Sequence, residues 1–158
     1  MSYMFYNCKK LKFLTNDGRK TWDTQKVKNM SNMFNGCESI EAFPDLIFRW
    51  DTSKVKYMSY MFGNCKSLKS ISEDIVKWDM QNVFYINNMF EGCSSLQKLP
   101  GGIVDWKIDK LVDISEMIEG CDSLRNEELP DFSKWKDKKI DYRDGKKFSK
   151  FFKQPIIK

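Results

Sequence analysis

The sequence predicts an α/β solenoid of about five 28-residue coils, each holding a short parallel β-strand and one helical turn. Two observations lead there. Cysteines fall at Cys8, Cys37, Cys65, Cys93 and Cys121 and tryptophans at Trp22, Trp50, Trp78, Trp106 and Trp135, so two rare residue types step together by 28 or 29 residues. Around each cysteine the same apolar pattern returns, most fully in Val55-Lys56-Tyr57-Met58-Ser59-Tyr60-Met61-Phe62-Gly63-Asn64-Cys65 followed by Lys66-Ser67-Leu68-Lys69-Ser70-Ile71. A fixed period of this length marks architectures whose units bury their apolar faces only against one another.

The first copy starts mid-unit, with Met1, Met4-Phe5, Cys8, Leu11, Leu14, Trp22 and Val27. The second places Met30, Met33-Phe34, Cys37, Ile40, Phe43, Ile47, Trp50 and Val55 at the same steps. The third has Met58, Met61-Phe62, Cys65, Leu68, Ile71, Ile75, Trp78 and Val83; the fourth has Ile86, Met89-Phe90, Cys93, Leu96, Leu99, Ile103, Trp106 and Leu111. The last runs through Ile114, Met117-Ile118, Cys121, Leu124, a displaced Leu129-Pro130, Phe132, Trp135 and Ile140.

Polar positions repeat as well. Ser2, Ser31, Ser59, Asn87 and Ser115 lie six residues before a cysteine, where such side chains accept a backbone hydrogen bond and begin a helix. Asn7, Gly36, Asn64, Gly92 and Gly120 lie immediately before it, and Asn and Gly adopt the left-handed conformation that ends a helix. One helical turn fits between. Ser67-Leu68-Lys69-Ser70-Ile71 and its equivalents, bounded by turn formers, read as a strand, and Val55-Lys56-Tyr57-Met58 as a second strand or extended segment. An α-solenoid is the competing architecture. Gly or Asn interrupts every copy, Pro44, Pro100 and Pro130 follow the strand, and two helices hardly fit in one period, so it is set aside. Ordering one unit costs more than its few apolar side chains return, which makes stacking obligatory. Coils about 4.8 Å apart would place Trp on Trp and Cys on Cys.

The chain of 158 residues, 41% hydrophobic, suits one domain with a sizeable core. Net charge is +5, and residues 134–158 hold ten Lys and Arg against three Asp, so the basic character belongs to the tail and the rest is near −2. The predicted division is a five-coil repeat region over 1–140, its first coil partial, and a lysine- and phenylalanine-rich C-terminal cap or tail over 141–158. In that tail Phe148, Phe151 and Phe152 fall at helical spacing among lysines, giving a face suited to covering the last coil. Solvation of such a cap explains the lysines better than contact with nucleic acid or an anionic membrane.

No histidine is present, which removes Ser-His-Asp and Cys-His nucleophile systems and imidazole metal ligands. Asp17-Gly18-Arg19-Lys20-Thr21 lacks the first glycine and the Gly-Lys pair of a phosphate loop. Five evenly spaced cysteines fit small buried apolar groups better than a metal or redox ladder, since zinc sites draw ligand pairs two to four residues apart. Trp followed by Asp at Trp22-Asp23, Trp50-Asp51 and Trp78-Asp79 reads as a corner filler plus a turn-folding carboxylate rather than a ligand ladder. Asn29-Met30-Ser31 meets the glycosylation pattern through its repeated serine. The expectation is a protein without enzymatic activity, with no catalytic, cofactor-binding or metal-binding residues, no cofactor and no small-molecule substrate.

From Trp50 to Ile71 the chain resembles, nearly in full, the repeat of the BspA-like, leucine-rich-type bacterial surface proteins, abundant in mycoplasma lipoproteins and lactobacilli and found in some protists. The resemblance takes in about residues 1–140 and is best in copies two to four; Lys107 and Lys136 stand where Asp usually follows Trp, and these units are slightly longer than the commonest form. It implies an LRR-like solenoid, extracellular or on the cell surface, that binds host or matrix proteins and so serves recognition or adhesion. No stretch reads as a signal peptide or a membrane anchor. The other reading is an intracellular scaffold or truncated structural fragment that pairs as a homodimer through its uncapped N-terminal coil, where Met1, Met4 and Phe5 lack a neighbour.

Overall fold

The computed structural model describes residues 1–14, 22–125, 127, 129–135 and 140. Successive copies of the repeat lie one upon the next and face the same way. In the segment before each cysteine, backbone amides alternate between two destinations. In the second copy Met33, Asn35 and Cys37 donate back to the carbonyls of Met30, Asn32 and Phe34 at 3.0 to 3.3 Å, which folds three consecutive tight turns. The intervening amides of Asn32, Phe34 and Gly36 donate forward to Ser59, Met61 and Gly63 at 2.9 to 3.0 Å. Tyr3, Phe5 and Asn7 donate in the same way to Ser31, Met33 and Asn35, and Asn88, Phe90 and Gly92 to Ser115, Met117 and Glu119.

This alternation replaces the predicted helical turn. An α-helix points every interior amide along its own axis, which would leave nothing to join one unit to the next. Sending every second amide outward requires two left-handed residues per unit. One is the Asn or Gly before the cysteine, with φ of 58° at Asn7, 81° at Gly36, 55° at Asn64, 68° at Gly92 and 69° at Gly120. The other lies five residues before it, at Tyr3, Asn32, Tyr60, Asn88 and Glu116, with φ between 54° and 60°. The serines expected to cap a helix serve otherwise: the amides of Ser31 and Ser115 donate to the side chains of Asn29 and Asp113 at 2.8 Å, and the Ser59 hydroxyl donates to Asn87.

The predicted strands are reduced to single parallel bridges, Asn29 with Tyr57, Tyr57 with Tyr85, Tyr85 with Asp113, and Ser70 with Lys98. Turns lie so close together that no segment keeps two consecutive paired residues. After the cysteine, amides point the opposite way, from Ser67 to Glu38, Lys69 to Glu41, Ser95 to Lys66 and Gln97 to Lys69. Short 3-10 helices then lead to Trp50, Trp78 and Trp106, namely Asp45–Arg49, Glu73–Lys77 and Gly101–Asp105, and a further one, Phe132–Trp135, ends on Trp135. Pro44 and Pro100 precede the first and third of these, their fixed φ opening the turn, while Ser72 caps the second by accepting from the Asp74 amide. Beyond the tryptophan, Asp23, Asp51 and Asp79 accept from the amides two residues on at 2.9 to 3.1 Å, the turn expected of them.

The interior is a set of columns. Phe5, Phe34, Phe62 and Phe90 stack with centroids 5.4 to 5.9 Å apart and planes within 6°. Trp22 stacks on Trp50 at 5.5 Å and Trp106 on Trp135 at 6.5 Å, with Phe34 beside Trp50 and Phe62 beside Trp78. The tryptophans differ in their surroundings: Trp78 lies against Phe48 and Phe62, and the indole N–H groups of Trp106 and Trp135 donate to the Ile75 and Val104 carbonyls. Met33, Met61, Met89 and Met117 are wholly buried, as are Cys37, Cys65, Cys93 and Cys121. The predicted capping residues Phe148, Phe151 and Phe152, and the Asp17–Thr21 stretch, lie outside the described residues.

Candidate interaction surface

Four of the cysteines point inward and each thiol donates to the phenylalanine carbonyl of the preceding unit: Cys37 to Phe5, Cys65 to Phe34, Cys93 to Phe62 and Cys121 to Phe90, at 3.1 to 3.3 Å. All five are free thiols, and Cys8 is exposed. Burial, with some repulsion from Cys8, pushes the Cys37 thiol up to about 12; burial raises Cys65 and Cys93 as well. Such thiols are neither nucleophiles nor metal ligands at neutral pH. They fill a corner and tie adjacent units. Among the described residues no group of three or more His, Cys, Asp or Glu is placed to hold a metal ion, and no helix is long and apolar enough to cross a membrane.

Chemistry that faces outward is arranged in ladders. Past the cysteine, Lys9 and Lys66 both pair with Glu38 at 3.3 Å and hold its carboxyl below the usual range, chiefly by hydrogen bonds. Lys69 pairs with Glu41 at 2.6 Å and likewise lowers it. Next to them an open groove of about 640 Å³ is lined by Lys69, Ser70, Gln97, Lys98, Asp122, Ser123 and Arg125.

On the turn side, Asn35 donates to Asn32 and Asn64 to Asn35. Further along, the buried Asn88 amide donates to Glu91 at 3.2 Å and to Glu116 at 2.8 Å. Glu91 is raised mainly by burial; the Asn88 hydrogen bond opposes this and the neighbouring Glu116 and Glu119 add to it.

Exposed apolar side chains fall in two groups, Tyr3, Met4, Tyr6, Phe13 and Trp22 in the first copy and a second group at the bridged segment. Tyr57 and Tyr85, both bridge residues, project outward with rings stacked at 5.8 Å and planes 13° apart. They are 40% and 36% exposed, and Val112, 44% exposed, stands in the next unit. Phe84 adds its ring edge at 6.5 Å from Tyr85. Sequence reasoning placed Tyr57 in an extended segment but did not single out the tyrosines. The available signal was their recurrence at the position occupied by Asn29 and Asp113 in the neighbouring copies, whose side chains fold back onto the chain as a tyrosine ring does not.

A family model described as "Mycoplasma protein of unknown function, DUF285" matches residues 1–135. No curated protein matches the chain. Among solved structures, a leucine-rich cell surface protein of Faecalibacterium prausnitzii is similar at 15% sequence identity with a TM-score of 0.27, over 77% of this chain and 30% of that one. The chain thus spans about a third of that protein's length.

Proposed function

The chain belongs to the DUF285 family of mycoplasma proteins, and from that premise we propose that it is a non-catalytic, LRR-like solenoid for protein recognition, acting in adhesion at a cell surface. Pairing of each unit with the unit 27 to 31 residues away supports the solenoid reading, as in the bonds from Ser59 to Asn87 and from Cys65 to Phe34. The observation that supports recognition is the stacked, outward-facing Tyr57–Tyr85 pair. Tyrosine joins a large apolar face to a polar tip at low rotamer cost, and exposed aromatic clusters of this kind mark protein-binding surfaces. Host or matrix proteins are the partner class that the BspA-like resemblance implies.

The test is a binding assay on host cells and immobilised matrix proteins with the Tyr57→Ala/Tyr85→Ala variant. Binding should fall by about 10-fold or more while the thermal midpoint moves little, because both rings are already half in water. Equal binding by variant and wild type would move recognition off this face.

A further inference from the structure

Past the cysteine and at the 3-10 helices, cations and anions of neighbouring units pair. Lys9 and Lys66 flank Glu38, Lys69 meets Glu41, Lys98 reaches Glu73 and Lys134 holds Asp105. The bridged segment departs from this. Its backbone ladder runs through Lys28, Lys56, Phe84 and Val112, the amide of each donating to the carbonyl of the one before at 2.8 to 2.9 Å, so Lys28 and Lys56 stand on adjacent rungs. Lys26 and Lys54 repeat the arrangement two residues earlier. All four lysines are exposed, and among the described residues none of them makes an ion pair. Lys54 acts on Asp51 only weakly, behind the hydrogen bonds from Ser53. Asp113, at the opposite end of the segment, turns back onto the Ser115 amide. Like charges on neighbouring rungs repel, and an anion laid across them removes that repulsion.

We propose that the bridged face takes an acidic segment of a partner protein, one that carries several Asp or Glu next to large apolar side chains; this rests on the reading of Tyr57 and Tyr85 as a recognition surface. The two ends of the face differ in chemistry. The four lysines form one end, Phe84, Tyr85 and Val112 the other, and Tyr57 stands between. Four rungs about 4.8 Å apart span about 14 Å, roughly the length of four extended residues. A single short segment can therefore set carboxylates on the lysines and apolar side chains against the rings. Bases of a nucleic acid stack on open ring faces, whereas Tyr57 and Tyr85 each cover one face of the other; apolar side chains use ring edges as well. The chain's own C-terminal stretch has the wrong sign for this role, with ten Lys and Arg against three Asp over residues 134–158.

The experiment selects displayed random peptides of about twelve residues on the immobilised full chain and measures the selected sequences by fluorescence anisotropy. They should be enriched in Asp and Glu beside Leu, Ile or Phe, and should bind Lys28→Gln/Lys56→Gln about 10-fold more weakly, with a flatter dependence on salt. The thermal midpoint of that variant should not fall, since no ion pair is lost. If no acidic peptide is selected, or if the acidic peptides bind the lysine variant as tightly as wild type, the proposal is overturned. Neutral peptides that need Tyr57 and Tyr85 but not the lysines would leave recognition by the tyrosine pair standing without its acidic partner. Acidic peptides lost in the lysine variant but unaffected by Tyr57→Ala/Tyr85→Ala would overturn the tyrosine reading and this proposal with it. Lysine-dependent binding of heparin or an oligothymidine, with no acidic peptide selected, would assign the face to a polyanion instead.

Discussion

Cys8 and Cys93 hold the same place in the repeat yet meet different surroundings, one exposed and one enclosed with its thiol on the Phe62 carbonyl. A thiol reagent on the native protein should therefore label one cysteine rapidly and the other four only through opening of the stack; five fast equivalents would contradict the buried ladder. The two glycine types part in the same way. A Cβ on Gly92, at φ 68°, would come within 2.5 Å of the Asn64 Oδ1, whereas Gly101 has nothing within 4 Å. Gly92→Ala should cost about 1–3 kcal/mol and Gly101→Ala almost nothing, a contrast that denaturant melts of the two variants would reveal. Glu91 supplies the pH dependence. Its folded pKa is raised by burial, so the folded state holds the proton more tightly than the unfolded one. Its contribution to stability is complete below the unfolded pKa and is lost as pH rises through the folded one. Wild type should lose stability relative to Glu91→Gln across that window, and melts of both proteins from about pH 4 to 7 would show parallel curves if the reasoning is wrong.

At the scale of the element, the unit is a series of tight turns whose regular spacing does the work that helices and strands do elsewhere. Asp51 closes one of them on the Ser53 amide, and exposure of the carboxylate limits its worth. Asp51→Ala should destabilise by about 0.5–1.5 kcal/mol, measurable as a lower midpoint. The period, the apolar ladders and the aspartate turn were legible in the sequence because each rests on side-chain type at fixed spacing. The backbone course was not. Asn or Gly before the cysteine announces one left-handed residue, but Tyr60 and Glu116 at the second such site are types that seldom take that conformation, so one turn of helix looked the simpler solution. What decides against it is hydrogen bonding to the next unit, information that no single copy contains. The tyrosine pair was missed for a related reason, since a residue recurring in only two copies looks like drift until the bridges place both on one exterior line.

For the molecule as a whole, the joints between units are nearly equivalent, and stability is expected to be distributed as a sum of local and nearest-neighbour contributions. The first unit shares its interior with one neighbour and the third with two. Amide exchange should accordingly be fastest around Met1–Lys12 and slowest around Met58–Leu68, and a uniform profile would indicate a single all-or-none unit instead.

Because the forward bonds of Asn32, Phe34 and Gly36 land on the same backbone positions that receive those of Tyr60, Phe62 and Asn64 one step on, the chain has a natural quantum of length. Excising residues 59–86 should bring residue 87 onward against the second copy in unchanged register and leave a shorter protein that still melts cooperatively, whereas removing half as many residues should leave ladders that cannot meet. A gene encoding such a chain can gain or shed whole periods without passing through a misfolded product, so the number of units is free to change while the pattern of each is held.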